Sequence, residues 1–173
     1  RNIGLIRLQM RSRALKRPVN LEINSPSSAG KTHLVLGVLA LEHPDAYYEL
    51  TAGSERSLIY LDESLEHRIL YIQEPEGLAE GVGAAVLKSL LWEGRLRYDT
   101  VVKEGGRLVP KHIEKDGPTG VIVSTTRPLE EQMANRLLRL EVDVSEEQTK
   151  RILRAIANRV NNAQPPSDLE AWH

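Results

Sequence analysis

The residues with the clearest chemical meaning lie at positions 25–32, where the sequence reads Ser-Pro-Ser-Ser-Ala-Gly-Lys-Thr. This run of small residues follows an alternating segment at 19–23 and leads into an apolar segment at 33–41, which predicts a strand, a tight turn and a helix. Backbone N–H groups at such a turn converge on one spot, where the helix dipole also favours an anion. We therefore predict a phosphate-binding loop, formed by Ser27, Ser28, Ala29, Gly30, Lys31 and Thr32.

Two side chains of this loop carry the chemistry that a bound triphosphate requires. Lys31 supplies a positive charge for the β- and γ-phosphates and the Thr32 hydroxyl can ligate Mg²⁺, so ATP and Mg²⁺ are the expected ligands. Ser25 stands where the usual pattern has glycine, and it must therefore avoid backbone conformations with positive φ. The competing interpretation is a serine-rich turn that only caps a helix, but capping does not require Gly-Lys-Thr.

An acidic residue is predicted close to this loop. Residues 68–74 have a continuous apolar core and end in Glu74, as expected of a central parallel strand that is buried on both faces. Ligands gather at the carboxyl ends of such strands, so Glu74 is the candidate for orienting or activating water, the alternative being a surface acid beyond a strand. Gln73 can accept a hydrogen bond from a magnesium-bound water but brings no charge. The sequence leaves three candidate acids to supply that charge: Asp62, Glu63 and Glu76.

A second buried strand is predicted at 120–126, and it ends in hydroxyl residues. Thr126 could hydrogen-bond the γ-phosphate or the attacking water, although a strand-terminating turn explains the same residues. Phosphoryl transfer also requires positive charge in the transition state, and three arginines follow this strand: Arg127, Arg136 and Arg139. From the residues alone, each of them is better explained as a surface arginine than as one that reaches a neighbouring subunit's nucleotide.

The surrounding segments alternate between helix and strand patterns. Residues 3–16 predict an amphipathic helix that Pro18 ends, and its basic face is either solvated or in contact with nucleic acid or a partner. The helix behind the phosphate loop is apolar on most sides and is expected to be largely buried. The other predicted elements are a strand at 47–51, a short helix at 54–61, a helix at 79–92, a β-hairpin at about 97–115, a helix at 130–138, a strand at 140–144 and a helix at 145–160. This alternation predicts an α/β fold with a mostly parallel central sheet and helices on both faces.

Composition limits the class of protein. With 173 residues the chain is long enough for one domain with a proper core. Because 23 Lys and Arg residues nearly balance 24 Asp and Glu residues, any affinity for nucleic acid must come from a local patch. The absence of cysteine and of any long apolar run favours a cytoplasmic protein with no membrane partner. The chain begins with Arg1 rather than Met, which suggests a piece of a longer protein.

The order of these motifs resembles that of the AAA+ P-loop ATPases. A phosphate loop is followed by an apolar strand ending in an acid, a helix, a hairpin, a strand ending in Thr-Thr-Arg-Pro, and Asn-Arg before a last strand and a lid-like helix. The hairpin is similar to the pre-sensor-1 hairpin of the clade that includes minichromosome-maintenance and viral superfamily 3 helicases, and residues 90–101 resemble P-loop proteins found beside phage and bacterial primase modules. On this pattern the chain divides into an N-terminal basic helix (1–17), an AAA+ core (18–144), a truncated lid helix (145–160) and a polar tail or linker (161–173).

The resemblance implies roles for the residues of the nucleotide site. Lys31 and Thr32 match the Walker A motif, and Glu74 matches the Walker B base. Gln73 stands where the family has the aspartate that holds magnesium through water. Thr126 matches the position called sensor 1.

The resemblance also implies surfaces for partners. Arg136 matches the arginine finger, which acts in trans within a ring or arc of identical subunits. In the helicase relatives the hairpin grips the nucleic-acid backbone, and its basic residues here are Lys103, Arg107, Lys111 and Lys115. The alternative is a hairpin that packs at a subunit interface.

The expected function is that of an ATP-hydrolysing motor on nucleic acid, such as a helicase, translocase or loader in the replication of a phage, plasmid or mobile element. The expected partners are single- or double-stranded DNA and a primase or another replication protein. A nucleotide-dependent switch that recruits protein partners is the first alternative, because of the uncharged Gln73 and the truncated lid. A small-molecule phosphotransferase is the second, although the hairpin and the Asn-Arg pair argue against it.

Overall fold

The computed structural model describes residues 2–26, 30–50, 58–75, 81–127, 129–142 and 145–162. The chain divides into two compact units, Arg1–Val142 and Asp143–His173. In chain order the helices and strands are α1 (Asn2–Arg11), β1 (Leu21–Asn24), α2 (Lys31–Leu39), β2 (Tyr47–Leu50), β3 (Arg68–Gln73), α3 (Gly81–Glu93), β4 (Leu96–Glu104), β5 (Arg107–Lys115), β6 (Thr119–Thr125), α4 (Glu131–Ala134), β7 (Leu138–Glu141) and α5 (Glu146–Asn162).

Within the described ranges, five strands form the central sheet, in the order β2-β3-β6-β1-β7. All four neighbouring pairs are parallel, so the carboxyl ends of the strands lie along one edge of the sheet. β6 is inserted between β1 and β3, although it comes last of the three in the sequence. The predicted α/β class with a mostly parallel central sheet is therefore confirmed.

Each face of the sheet is covered by helices. On one face α1 and α2 pack against β1 through buried residues such as Met10 and Val35. On the other face α3 and α4 pack through residues such as Leu87 and Met133. β3 is buried on both sides, because Ile69 and Tyr71 join the first cluster while Leu70 and Ile72 join the second. This two-sided burial explains the continuous apolar run in its sequence.

The first helix ends earlier than predicted. α1 stops at Arg11, and a turn of 3-10 helix at Ser12–Ala14 follows. The hydroxyl of Ser12 donates to the carbonyl of Gln9 at 2.6 Å and accepts from the N–H of Val19 at 2.9 Å. Ser12 therefore turns the chain toward β1 well before Pro18, because its side chain offers the backbone local hydrogen bonds that compete with the helix.

The prediction that α2 is largely buried was wrong. Val35, Val38 and Leu39 face the core, whereas Thr32, His33 and Leu36 are exposed. The helix is apolar on most sides, but it lies on the outer layer of the sheet and buries a single stripe.

The segment before the last strand also differs from the prediction. α4 is a single turn rather than a helix at 130–138, and β7 already begins at Leu138. Leu138 donates its N–H to the carbonyl of Asn20 at 2.8 Å, and in the sheet it pairs with Leu21. Parallel pairing with β1 thus decides the conformation of residues whose local pattern favours a helix.

The remaining elements lie close to their predicted ranges. Residues 58–61, predicted as the end of a short helix, form a turn, and residues 54–57 of that helix fall outside the described part of the chain. Val144 of the last predicted strand and the tail at 163–173 also fall outside it. Ser145 caps the N-terminus of α5 as predicted, because its hydroxyl accepts the N–H of Gln148 at 3.2 Å. Over the described ranges, the helices are too short or too polar to cross a membrane.

One ion pair joins a buried acid to an exposed arginine next to the strand that precedes the predicted phosphate loop. Glu22 of β1 is fully buried, and its Oε2 accepts a hydrogen bond from Nε of Arg139 in β7 at 2.9 Å. Its other oxygen, Oε1, has no hydrogen-bond partner among the described residues. The pair thus depends on a single hydrogen bond between side chains.

We expect Arg139→Ala to lower the free energy of unfolding by about 1–3 kcal/mol, because it leaves a buried carboxylate without its hydrogen-bond partner, although solvent partly screens the charge of the exposed arginine. Urea unfolding followed by circular dichroism measures the change. Arg127→Ala, at an exposed position, is the control and should change stability by less than about 0.5 kcal/mol. Replacing both Glu22 and Arg139 with leucine should recover most of the loss, and equal stability of Arg139→Ala and the parent would contradict the assignment.

Candidate functional site

The described part of the predicted phosphate loop is a left-handed residue that leads into α2. Gly30 adopts a left-handed conformation with φ 79° and ψ 18°, directly before the first residue of α2. Its carbonyl accepts the N–H of Leu34 at 2.9 Å, which starts the helical hydrogen bonds. Glycine suits this position because a side chain would strain a left-handed backbone. The predicted ligand residues Ser27, Ser28 and Ala29 lie outside the described residues.

Lys31 is held over the start of the loop. The residue is only 7% exposed, and its Nζ donates to the carbonyls of Ser25 at 2.6 Å and Pro26 at 2.9 Å. An ammonium group so placed is partly desolvated and close to the helix N-terminus, where an anion is favoured. It can exchange backbone carbonyls for phosphate oxygens with a small movement of its flexible side chain.

Ser25 fills the first position of the motif without strain. Among the described residues other than glycine, positive φ angles occur at His67 and Glu74, so Ser25 avoids the left-handed region. Its N–H donates to the carbonyl of Thr125 at 3.3 Å, which ties the beginning of the loop to β6. The substitution of serine for glycine at this position is therefore compatible with the loop.

Three neighbouring strand ends meet beside this loop. The N–H of Ser25, just beyond β1, bonds to Thr125, and the N–H of Glu74, just beyond β3, bonds to the carbonyl of Ser124 at 2.9 Å. β6 therefore links the phosphate loop on one side to Glu74 on the other. Thr126 follows β6 directly, is half-buried, and its hydroxyl has no hydrogen-bond partner within the described ranges. The structure brings together Lys31, Glu74 and Thr126, which the sequence had indicated separately.

The hydroxyl of Thr125 forms the turn that ends β6. It accepts the N–H of Arg127 at 3.1 Å and donates to the carbonyl of the same residue at 2.5 Å. The strand-terminating turn considered in the sequence therefore belongs to Thr125, while Thr126 stays available.

Glu74 has an unusual backbone. Its φ of 47° lies in the left-handed region, which non-glycine residues seldom adopt, and its side chain is exposed at the strand end. Such a conformation costs about 1–3 kcal/mol and persists where the surroundings fix it, often at functional sites. Here the hydrogen bond to Ser124 and the buried Pro75 hold it.

The acid closest to Gln73 is one that the sequence did not indicate. Nε2 of Gln73 donates to Oε1 of Glu49, on the neighbouring strand β2, at 2.5 Å. Of the three acids considered from sequence, Glu63 binds Arg68 at the amino end of β3, Asp62 precedes it in the same loop, and Glu76 lies outside the described residues. Only the pairing of β2 with β3 could have revealed Glu49, because sequence spacing does not specify that contact.

Thr32 is connected to the same face of β3. The buried hydroxyl of Tyr71 lies 3.3 Å from Oγ of Ser124, and the side chain of Thr32 is close enough to affect the same hydroxyl. Burial raises the pKa of Tyr71 above its ordinary value of 10.0, and the nearby charge of Glu49 adds to this increase, while the polar side chains of Ser124 and Thr32 oppose it. Tyr71 therefore stays neutral and keeps a proton to donate at neutral pH. Tyr71 and Gln73 lie on one face of the strand, the face that α2 covers.

The three arginines differ in their surroundings. Arg139 is paired with Glu22, and Arg127 is exposed at the end of β6. Arg136 is exposed, and its guanidinium lies 4.7 Å from the ring centroid of Trp92 in α3, within the range of a cation–π contact. It precedes β7, so it lies at the amino edge of the sheet, opposite to the phosphate loop.

The hairpin formed by β4 and β5 is a separate antiparallel sheet. Gly105 and Gly106 have φ angles of 56° and 83°, and two positive angles are typical of the type I′ turn of tight hairpins. At its base, Tyr98 and Ile113 pack against the core beside α3. The outer half therefore extends from the core as a two-stranded arm.

The four basic hairpin residues fall into two groups. Lys103, Arg107 and Lys111 are exposed and form no ion pair with another described residue. Arg107 and Lys111 lie on one face of the hairpin and Lys103 on the other, as the pairing shows. Lys115 is half-buried at the base, where its Nζ donates to the carbonyl of Leu61. Lys115 is thus engaged within the fold, unlike the other three.

Together the fold and the site define an α/β protein with a loop, an ammonium group and an acid at the carboxyl edge of a parallel sheet. No known protein family and no curated protein matches the sequence. Among the solved structures, the chain is similar to NtrX from Brucella abortus, at 18% identity and a TM-score of 0.49, over 82% of this chain and 37% of the NtrX chain. The chain thus spans well under half of that protein, and a likeness this distant carries no argument about function.

An ionic cluster near the hairpin base contains a histidine. Nδ1 of His112 lies 2.5 Å from Oδ1 of Asp99, and its Nε2 lies 3.5 Å from Oε2 of Glu114. The hydrogen bond to Asp99, followed by that to Glu114, raises the pKa of His112 above 6.5. Hydrogen bonding from Arg97 lowers the pKa of Glu114.

We expect the stabilisation from protonated His112 to be present below pH ~6.5, the value in the unfolded chain, and to be lost as the pH rises through the raised value in the folded protein. Titration of the imidazole by NMR should give a midpoint above 6.5 that falls in Asp99→Asn. Glu104→Gln, at the hairpin turn, is the control and should leave the midpoint unchanged. Identical midpoints in the parent and Asp99→Asn would contradict the pairing.

Proposed function

We propose that this chain is a P-loop ATPase of the AAA+ type that acts on nucleic acid as a helicase, translocase or loader in replication. One observation carries the proposal: β6 connects the phosphate loop to Glu74, through the bonds from Ser25 to Thr125 and from Glu74 to Ser124. A phosphate cradle, an acid and a hydroxyl at Thr126, which has no hydrogen-bond partner among the described residues, are the groups that nucleotide hydrolysis requires in one place.

The residues of the site suit a triphosphate with Mg²⁺. Gly30 turns the chain so that the N-terminus of α2 directly follows the loop, and the nearly buried Lys31 carries its charge there. When ATP is bound together with Mg²⁺, the metal would neutralise negative charge on the phosphate oxygens. Thr32 offers its hydroxyl as a metal ligand, while Glu74 accepts a proton from a water molecule and Thr126 orients that water by hydrogen bonding.

Arg136 supports an assembly with shared sites. It lies at the amino edge of the sheet, whereas the loop of its own chain lies at the carboxyl edge. Its charge can therefore serve a nucleotide in a neighbouring copy, as an arginine finger in a ring or arc. Stacking on Trp92 holds the guanidinium at the surface in a restricted set of conformations.

The hairpin supports a contact with DNA. Lys103, Arg107 and Lys111 present three unpaired positive charges within the described part of an arm that extends from the core. Such charges bind the phosphate backbone independently of sequence. The charges occupy both faces of the arm, which suits a strand that passes along or around it.

A nucleotide-dependent switch is the second candidate. The observation that favours it is the uncharged amide of Gln73 at the place where an aspartate is expected. In a switch, nucleotide binding changes the contacts with partner proteins and turnover is negligible.

For the motor, Lys31→Ala should abolish nucleotide binding. Glu74→Gln should retain binding but lower the turnover by about 10²-fold or more, because the base is lost. Arg136→Ala should lower turnover by about 10³-fold with binding retained. ATPase rates of the parent and the variants, with and without single-stranded DNA, measure these effects. DNA stimulation of the parent supports the motor, and binding without turnover supports the switch.

Mixing the variants tests whether sites are shared. In a mixture of Lys31→Ala and Arg136→Ala chains, some interfaces join an intact loop to an intact arginine, so activity should partly return. Arg127→Ala serves as the control, since its arginine is not assigned to the site. Activity of the mixture no greater than that of the separate variants would exclude Arg136 as a finger in trans.

The hairpin makes a separate prediction. Replacing Lys103, Arg107 and Lys111 with alanine should weaken binding of single-stranded DNA and reduce the slope of log K against log salt by about 2, or 0.7 for each lost contact. Fluorescence anisotropy of a labelled oligonucleotide at several salt concentrations measures both. Lys115→Ala is the matched control, because Leu61 already engages that ammonium group. An unchanged salt slope in the triple variant would show that DNA does not bind the arm.

A further inference from the structure

The amide of Gln73 has a defined orientation. A carboxylate can only accept hydrogen bonds, so the NH₂ group of Gln73 must face Oε1 of Glu49, 2.5 Å away. The amide oxygen is then left as the acceptor, and it has no hydrogen-bond partner within the described ranges. The glutamine thus presents a fixed oxygen, and the negative charge close to it belongs to Glu49. An aspartate at this place would provide both the oxygen and the charge itself.

The pair lies on the face of β3 that α2 covers, and α2 carries Thr32, the residue expected to hold magnesium. Glu49 is opposite Tyr71 in the register of β2 and β3, and the side chain of Thr32 is close enough to affect the hydroxyl of Tyr71. Gln73 is two residues beyond Tyr71 and therefore on the same face of β3. Tyr71 thus lies between the acid on β2 and the threonine of the phosphate loop.

We propose that Glu49 supplies the negative charge of the magnesium site, acting through Gln73, whose amide oxygen accepts a hydrogen bond from a metal-bound water. This inference rests on the proposed function and deepens it, because it assigns the carboxylate that Gln73 lacks. Glu49 is a positioning residue, because its hydrogen bond fixes the amide of Gln73. Its charge lies on β2, one strand away from β3, where an aspartate would carry it. Among the described residues, no three acids or histidines form a group for a metal, but Mg²⁺ is commonly held by one or two carboxylates together with water and phosphate oxygens.

A simpler role for Glu49 would be to join two strands. Glu49→Gln separates the two roles, since a glutamine can still hydrogen-bond Gln73 but carries no charge. The variant Glu49→Gln/Gln73→Asp then returns one charge to the site on the neighbouring strand. Glu63→Gln is the matched control, because that acid pairs with Arg68 at the amino end of β3.

The experiment measures binding of a non-hydrolysable ATP analogue by calorimetry at a series of Mg²⁺ concentrations, so no turnover is needed. In the parent, Mg²⁺ should increase the affinity for the analogue, and the Mg²⁺ concentration at half of this increase is the measured midpoint. We expect Glu49→Gln to raise this midpoint by about tenfold or more, as for other groups that orient metal ligands. Affinity without Mg²⁺ should not fall. The double variant should recover most of the metal dependence, and Glu63→Gln should behave as the parent. Thermal unfolding of each variant verifies that it is folded.

Two results overturn the inference alone. One is a parent that binds the analogue with no dependence on Mg²⁺, and the other is a Glu49→Gln variant with the same Mg²⁺ dependence as the parent. A parent that binds no nucleotide at any Mg²⁺ concentration overturns the proposed function and, with it, this inference. Loss of stability in Glu49→Gln with unchanged Mg²⁺ dependence assigns the residue to strand pairing and also counts against the proposal.

Discussion

The site depends on the insertion of β6 between β1 and β3. Parallel strands end at a common edge, and two backbone hydrogen bonds from that edge attach Ser25 and Glu74 to the last residues of β6. These bonds fix the separation of the phosphate loop and the acid more firmly than flexible side chains could, since the peptide groups belong to a buried sheet. The left-handed backbone of Glu74 is tolerated because its N–H is held in this way.

Charge around the site is distributed over several elements. The ammonium group of Lys31 rests on backbone carbonyls, and the carboxylate nearest to Gln73 comes from β2. Tyr71 lies among these parts: its hydroxyl is 3.3 Å from Oγ of Ser124, it is close to Thr32, and it is opposite Glu49 in the sheet. The site is therefore a network across four elements, β2, β3, β6 and α2, and its chemistry cannot be assigned to one motif.

The features proposed to meet partners lie away from this network. Arg136 is at the opposite edge of the sheet, stacked on Trp92, and the basic hairpin extends from the side of α3. Both follow from packing: the apolar base of the hairpin anchors it to the core, while its outer residues have no core to cover. The separation of the proposed site from the proposed partner surfaces suits the proposed assembly, in which neighbouring copies complete one another.

The sequence by itself determined the α/β class, the strand–loop–helix around Gly30 and Lys31, and the hairpin with its Gly-Gly turn, because periodicity and turn chemistry are local properties. Tertiary structure decided the rest. It ended α1 at Arg11, reduced α4 to one turn so that Leu138 could pair with β1, and engaged Lys115 with Leu61. It also placed Glu49 against Gln73, a contact between residues distant in sequence that only the order of strands creates. Local patterns specify which elements form, whereas pairing across the sheet decides which side chains meet.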